Sequence, residues 1–318
     1  MACRIINRVA ADPRSELEEL VAGLTADPAT LSPKYFYDEL GCALYGAICR
    51  LPEYYPTRTE AELFREHRAE IAAMLGTGRQ FVDLGVGDCC KAMGWLPFVS
   101  PCRYIAVDIA ESEIHRALTG MARDWPDLEL VGVVTDFSRR LDLEGVLDSR
   151  PVTLFYPGSS IGNFTPPQAR DFLAQVRAYC VGRPGSGLLI GVDGKKDSTV
   201  LDAAYDDALG VTAAFNRNAL QHLNRRFGFD FALDGYRHLG FYNAALGRVE
   251  MHLESLRAQS VHLVGGNTRH FRAGERIHTE SSYKYHADEF AALLEEAGFG
   301  TVHRWASPGS GFHVFYAA

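Results

Sequence analysis

Three short stretches carry residue types whose spacing suits nucleotide binding. In "QFVDLGVGDCCK" an apolar run ends in Gly85 and Gly87, and Lys91 follows four residues later. "RYIAVDIA" puts Asp108 at the end of a second apolar run, and "VTDF" puts Asp136 beside Phe137 at the end of a third. Glycines let the backbone approach a ligand, and an acid about 20 residues further on holds ribose hydroxyls. A carboxylate beside an aromatic ring suits adenine, the acid taking its amino group and the ring its face. Cys90 stands where a dinucleotide motif has its third glycine, which weighs against a nicotinamide cofactor. Gly85, Gly87, Asp108, Asp136 and Phe137 at successive strand ends instead make an adenosyl site of the kind S-adenosylmethionine fills. Two alternatives stay open: Lys91 either reaches a cofactor carboxylate or is solvated, and Asp136 could merely cap a following helix.

Other chemistries are poorly supported. The seven cysteines are scattered, odd in number and contain no Cys-x-x-Cys pair, so neither a disulfide framework nor a zinc knuckle is expected. Cys89 and Cys90 read as small residues filling space at a helix start. His262, His270, His278 and His286 recur every eight residues, but eight residues of strand span about 26 Å, too far to share an ion. No metal is expected.

The elements that position the adenosyl residues follow from periodicity. From residue 60 onward, helical patterns such as "EAELFREHRAEIAAML" and "ESEIHRALTGMARDW" alternate with short apolar runs, ending in "VTLFYPGSS" and "GLLIGVD". That alternation predicts a doubly wound α/β fold with a parallel sheet covered on both faces. It stops after the fifth strand. A helical stretch, "DSTVLDAAYDDALGVTAAFNRNALQHLNRRFG", and segments of alternating polarity, "RVEMHLESLRAQSVHLV" and "ERIHTESSYKY", come next. A last helix, "ADEFAALLEEAGF", and a hairpin turning through Pro-Gly-Ser-Gly complete the chain. A helix before strand six and an antiparallel strand seven mark a Class I (Rossmann-like) methyltransferase fold. The expected domains are 59–195 with 285–318 for that fold, and 8–58 with 196–284 for an α+β substrate domain over the sheet's carboxyl edge.

Composition narrows the partners. The formal net charge of −8 over 318 residues argues against a nucleic-acid binder. No apolar run reaches the ~20 residues that span a bilayer. The N-terminus lacks a signal-peptide core. A cytoplasmic monomer acting on a small molecule is the expectation.

Three longer stretches resemble one family. "LSPKYFYDELGCALYGAICRLPEYYPTRTEAELF", "FYPGSSIGNF" and "RIHTESSYKY" are similar, in that order, to signatures of the L-histidine Nα-methyltransferases of ergothioneine biosynthesis. The resemblance implies three transfers from S-adenosylmethionine to histidine, through mono- and dimethyl intermediates, giving hercynine and S-adenosylhomocysteine. It implies that Asn163 of "PGSSIGN", with Gly158 and Ser160, holds the amino acid end of the substrate, Ser160 replacing the family's usual threonine. Tyr205 matches a second carboxylate contact, Met251 a wall of the side-chain pocket, and Glu280 with Ser282 the pair that binds the imidazole nitrogens. In "EYYPTR" either Tyr54 or Tyr55 faces the imidazole, Tyr54 being favoured, and Tyr37 is placed to stabilise a quaternary ammonium weakly.

The residue chemistry agrees. An imidazole has two nitrogens, and a carboxylate with a hydroxyl satisfies both. Two residues apart on a strand, Glu280 and Ser282 point to one face. No buried base is evident, so amine proton loss to water past Asn163, Tyr205 or Tyr54 is the expectation. Three rival readings remain: a relative methylating another aromatic amino acid or an indole amine, a nicotinamide oxidoreductase, and a module that binds the adenosyl ligand without turnover.

Overall fold

The computed structural model describes residues 3–9, 13–87, 89–307, 309 and 311–318. Its strands, in chain order, are β1 (Arg4–Asn7), β2 (Ala29–Thr30), β3 (Gln80–Leu84), β4 (Arg103–Asp108) and β5 (Glu129–Val134). There follow β6 (Val152–Tyr156), β7 (Gly187–Asp193), β8 (Tyr236–Asn243), β9 (Arg248–Ser255) and β10 (Gln259–His262). The last four are β11 (Thr268–Phe271), β12 (Arg276–Tyr283), β13 (Val302–Ala306) and β14 (Phe312–Ala317). The chain divides into two compact units, residues 1–9, 56–195 and 283–318 in the first and residues 10–55 and 196–282 in the second.

The first unit is built on an eight-stranded sheet in the order β1-β5-β4-β3-β6-β7-β14-β13. Neighbours from β1 to β7 are parallel, while β14 runs antiparallel to both β7 and β13. Every residue of β3, β6 and β7 is buried, as a sheet covered on both faces requires. Adjacent residues divide between two cores: Val82 and Ile105 pack on one side, Phe81 and Tyr104 on the other. The helix Glu111–Asp124 buries Ile114, Leu118 and Met121 against the sheet. It sits so close that a methyl group on Gly132 would lie 2.5 Å from Ile114 Cγ2. The helix Pro166–Cys180 starts on a capping box, with Thr165 N–H donating to Gln168 Oε1 at 3.0 Å and proline at its first turn. Strand order reverses between β3 and β6, which makes the carboxyl ends there the crevice where open α/β sheets bind ligands.

This is the fold class expected, an antiparallel hairpin strand closing a parallel sheet. Pro308 and Ser310 of the anticipated hairpin turn lie outside the described residues. One edge element was not anticipated: β1 pairs in parallel with β5 through only four residues, too few to show a period in the sequence.

The second unit holds a four-stranded sheet, β2-β12-β9-β8, and the two-stranded hairpin β10-β11. Val249, Met251 and Leu253 of β9 enter one core with Phe215 and Leu220 of the helix Val211–Phe227. The alternate residues Glu250, His252 and Glu254 are also buried: Arg248 pairs with Glu250 and Arg276 with Glu254, while His252 lies 2.8 Å from Glu250 Oε2 and stacks on Phe241. The long helical stretch breaks in two, Ser198–Tyr205 and Val211–Phe227, with Gly210 at φ +72° opening the second. Among the described residues, no helix is long and apolar enough to cross a membrane.

Candidate functional site

In the first unit the adenosyl candidates gather at the carboxyl ends of β3, β4 and β5. Gly85 and Gly87 have φ of +73° and +48°, in the region that favours glycine. A Cβ on Gly85 would meet Phe137 Cζ at 3.8 Å, so the glycine turn and this ring are neighbours. Phe137 stands edge-on to Tyr156, with ring centroids 5.9 Å apart. Asp108 Oδ1 accepts the Ala110 N–H at 2.9 Å. Burial raises the Asp108 pKa, while the N–H groups of Ala110, Gly87 and Ile109 oppose the rise, so the carboxylate faces the glycine turn. Its two oxygens, beside glycines open on one side, fit the vicinal hydroxyls of a ribose.

Asp136 does not cap a helix. None follows it; its Oδ1 accepts the Ser138 N–H at 3.2 Å, and its Oδ2 lies 3.6 Å from Arg139 Nε. The cysteine reading needs correcting by half, because Cys89 is buried and Cys90 is exposed. Cys89 has φ +52°, so the short helix Cys90–Met93 follows a left-handed residue.

Lys91 is not simply solvated. Its Nζ donates to Glu60 Oε2 at 2.6 Å, and the Glu60 side chain is fully buried. Glu60 Oε1 accepts the Gly158 N–H at 2.7 Å. Gly158 and Ser159 have φ of +78° and +58° and open a short helix, Ser160–Asn163. Ser159 Oγ accepts the Asp193 N–H at 2.8 Å, and Ser160 Oγ donates to Pro157 O at 3.4 Å. Asn163 ends this turn and is exposed. Lys284 Nζ and Asp193 Oδ2 form an ion pair of 3.0 Å with almost no exposure on either side. Neither Glu60 nor Lys284 was among the residues expected from the sequence.

In the second unit the candidates converge on a group of tyrosines. Tyr205 OH bonds Ser282 Oγ at 2.9 Å. The Tyr54 ring lies 6.2 Å from Tyr205 and 6.5 Å from Tyr45, and the hydroxyls of Tyr45 and Tyr54 are hydrogen-bonded. Burial lifts Tyr45 and Tyr54 well above the ordinary tyrosine pKa; for Tyr45, the Glu280 carboxylate adds to the rise. Glu280 therefore lies within electrostatic reach of this cluster. Tyr37 joins it through Tyr45 and Phe215, at 6.0 and 5.9 Å between centroids. Tyr55 instead lies under the Lys196 ammonium, 3.9 Å from its ring centroid. Met251 is buried in the core, and its carbonyl accepts the Thr279 hydroxyl at 3.0 Å. Tyr45 is the member that sequence reasoning missed; it stands in the first quoted signature, but nothing in its spacing singles it out.

The strand carrying Glu280 and Ser282 is less regular than its parity suggests. Ile277 and Thr279 are buried, yet Ser282, of opposite parity, is buried too. His278 Nε2 lies 2.9 Å from Glu280 O and 3.1 Å from Ser281 Oγ, marking where alternation breaks. The four evenly spaced histidines fall on β10, β11, β12 and the start of the helix Ala287–Glu296. A different set, Glu250, His252 and His278, has donor atoms within 4.8 Å of one another. Arg248 already neutralises that carboxylate at 2.8 Å, and the two imidazoles stack at 4.8 Å.

Residues 16–318 match the family described as histidine-specific methyltransferase, SAM-dependent. The histidine N-alpha-methyltransferase of Mycolicibacterium smegmatis is 38% identical over 324 residues, covering 100% of this chain and 99% of that protein. A 4-dimethylallyltryptophan N-methyltransferase of Trichophyton verrucosum is 28% identical over 318 residues, covering 93% and 92%. Ergothioneine biosynthesis protein 1 of Neurospora crassa is 28% identical over 287 residues, which are 87% of this chain and 32% of that longer protein. With its family matched along nearly the whole chain, this protein belongs to the histidine-specific, S-adenosylmethionine-dependent methyltransferases.

Proposed function

We propose that this enzyme methylates the α-amine of L-histidine three times, forming hercynine, the first step of ergothioneine biosynthesis. The observation that carries the reading is the polar pair beside the tyrosine cluster: the Ser282 hydroxyl bonded to Tyr205, and the Glu280 carboxylate within reach of Tyr45. A carboxylate and a hydroxyl match the two nitrogens of an imidazole ring, and rejection of analogues lacking those nitrogens can reach ~10⁴.

The sulfonium cofactor supplies an electrophilic methyl carbon and leaves as S-adenosylhomocysteine. Gly85, Gly87, Asp108, Asp136 and Phe137 are assigned to its adenosyl part and Lys91 to its carboxylate. Asn163, with Gly158 and Ser160, takes the amino acid end of histidine and aligns the amine for attack. Tyr205 is the second contact there; Glu280 and Ser282 take the imidazole, Met251 its wall, and Tyr54 its face. Tyr54 is favoured over Tyr55 because it stands in the tyrosine cluster, whereas Tyr55 is covered by Lys196.

The α-amine of a free amino acid has a pKa of roughly 8 to 9 and must be neutral to attack. Burial keeps Tyr45 and Tyr54 protonated near neutrality, so neither is a phenolate base. The proton leaves to water, and the hydroxyls of Tyr54 and Tyr205 orient the amine without accepting the charge. Tyr37 offers its ring to the quaternary product. The acting form is read as a monomer in the cytoplasm.

The tryptophan-type relative supports the competing reading, an aromatic amine other than histidine. Incubation with S-adenosylmethionine and a panel of histidine, tryptophan, tyrosine and phenylalanine, read by product mass, separates the two. Trimethylhistidine with no tryptophan product is expected; methylated tryptophan with unmodified histidine would replace this reading with its rival.

A further inference from the structure

Glu60 has no part in the reaction as described, yet its buried carboxylate holds two residues that do. Its carboxylate is fully buried and bridges two segments far apart in sequence, Lys91 Nζ at 2.6 Å and the Gly158 N–H at 2.7 Å. Two glycines make room for the arrangement. A Cβ on Gly191, in the middle of β7, would lie 1.9 Å from Glu60 Oε1, so the carboxylate rests on bare strand backbone. A Cβ on Gly158 would lie 3.1 Å from Lys91 Nζ, at a residue with φ +78°. A buried carboxylate lacking such partners would be costly; here each oxygen has one.

We propose that Glu60 is a positioning residue that sets both ends of the methyl transfer: it aims Lys91 at the cofactor's carboxylate and fixes the Gly158–Asn163 turn that takes the substrate. Lys91 keeps about a third of its side chain exposed, enough for its ammonium to meet a second anion while Glu60 restricts its rotamers. The flexible four-carbon stem is thereby ordered before the cofactor arrives, which lowers the entropy lost on binding. Through its other oxygen Glu60 holds the first residue of a turn whose two left-handed positions have few alternatives. The inference rests on the assignment of Lys91 to the cofactor.

The two arms can be separated. Glu60→Gln keeps an oxygen for the Gly158 N–H but loses the ion pair, so S-adenosylhomocysteine should bind about tenfold more weakly by calorimetry while the KM for histidine stays put. Glu60→Ala loses both arms and should raise the histidine KM as well. Lys91→Met should weaken cofactor binding to a similar degree, and the double variant Glu60→Gln/Lys91→Met should lose no more than Lys91→Met alone, since coupled residues are not additive. Should Glu60→Gln fail to fold, Glu60→Asp retracts the carboxylate while keeping its charge and should give the same cofactor loss. If Lys91→Met binds the cofactor like the parent enzyme, the Lys91 assignment falls and takes the inference with it. If Lys91→Met is weakened while Glu60→Gln is unchanged, or if the losses add fully in the double variant, the positioning role alone is overturned.

Discussion

In the first unit the candidates stand at strand ends of one sheet: for the adenosyl part Gly85 and Gly87 after β3, Asp108 at the end of β4, Asp136 and Phe137 after β5, and for the substrate's amino acid end the Gly158–Asn163 turn after β6. In the second unit, Tyr54 comes from a loop, Tyr205 from a helix end, and Glu280 with Ser282 from the strand β12. The first set is placed by backbone topology and the second by side-chain contacts between segments remote in sequence. Residues set by topology tolerate changes in their neighbours, because the strand ends remain. Residues set by contact depend on each partner in turn. On the assignments proposed above, the first unit takes the constant ligand and the second the selective one.

Changes that strain this contrast can be ranked. The largest effect concerns stability in the first unit: Lys284→Met removes the ammonium paired with the buried Asp193 carboxylate and should lower the unfolding free energy by roughly 3–5 kcal/mol, measured by urea denaturation at constant slope. An unchanged midpoint would mean the pair contributes nothing there. Next, Asp108→Ala should weaken S-adenosylhomocysteine binding about a hundredfold, or ~2.7 kcal/mol, without moving the thermal midpoint of the free enzyme much. Equal loss of stability and affinity would assign Asp108 to the fold. Tyr205→Phe removes the bond to Ser282 and should cost about 1 kcal/mol in kcat/KM for histidine, with cofactor affinity intact.

The smallest effect is a pH dependence rooted in the second unit. Burial holds His252 and His278 below their ordinary value near 6.5, and for His278 the neighbouring His252 charge adds to this. Both resist protonation in the fold, whereas the unfolded chain takes up protons near 6.5, so stability falls as pH drops below that value and returns above it. Urea midpoints should thus decline toward acid, and His252→Gln with His278→Gln should flatten the decline; a slope unaffected by these changes would assign it to other groups.

The same contrast governs what is legible in the sequence. Strand ends in an α/β sheet announce themselves, because an apolar run that stops at glycine or aspartate and recurs between helical patterns marks a buried strand's carboxyl end. Gly85, Gly87 and Asp108 are legible in this way. Glu60 gives no such signal. In "PTRTEAELF" it resembles a solvent-facing acid on an amphipathic helix, and the room its carboxylate occupies depends on Gly191, far along the chain, lacking a side chain. Tyr45 is hidden too, because nothing in its spacing separates it from the other tyrosines of its stretch, and the Phe215 ring beside it comes from far along the chain. Glu280 and Ser282 are legible from their family resemblance. Their parity is a weak guide, since alternation breaks within β12. The strand β1 is too short to read, and the eightfold histidine spacing is coincidence across four elements.

The central claim, that the second unit selects histidine while the first holds the cofactor, is tested most directly in Glu280→Ala. Calorimetric titration with S-adenosylhomocysteine and a histidine turnover assay on the same preparation should show unchanged cofactor affinity and turnover reduced by at least about a hundredfold. Equal loss of both, or full turnover with the carboxylate gone, would contradict it.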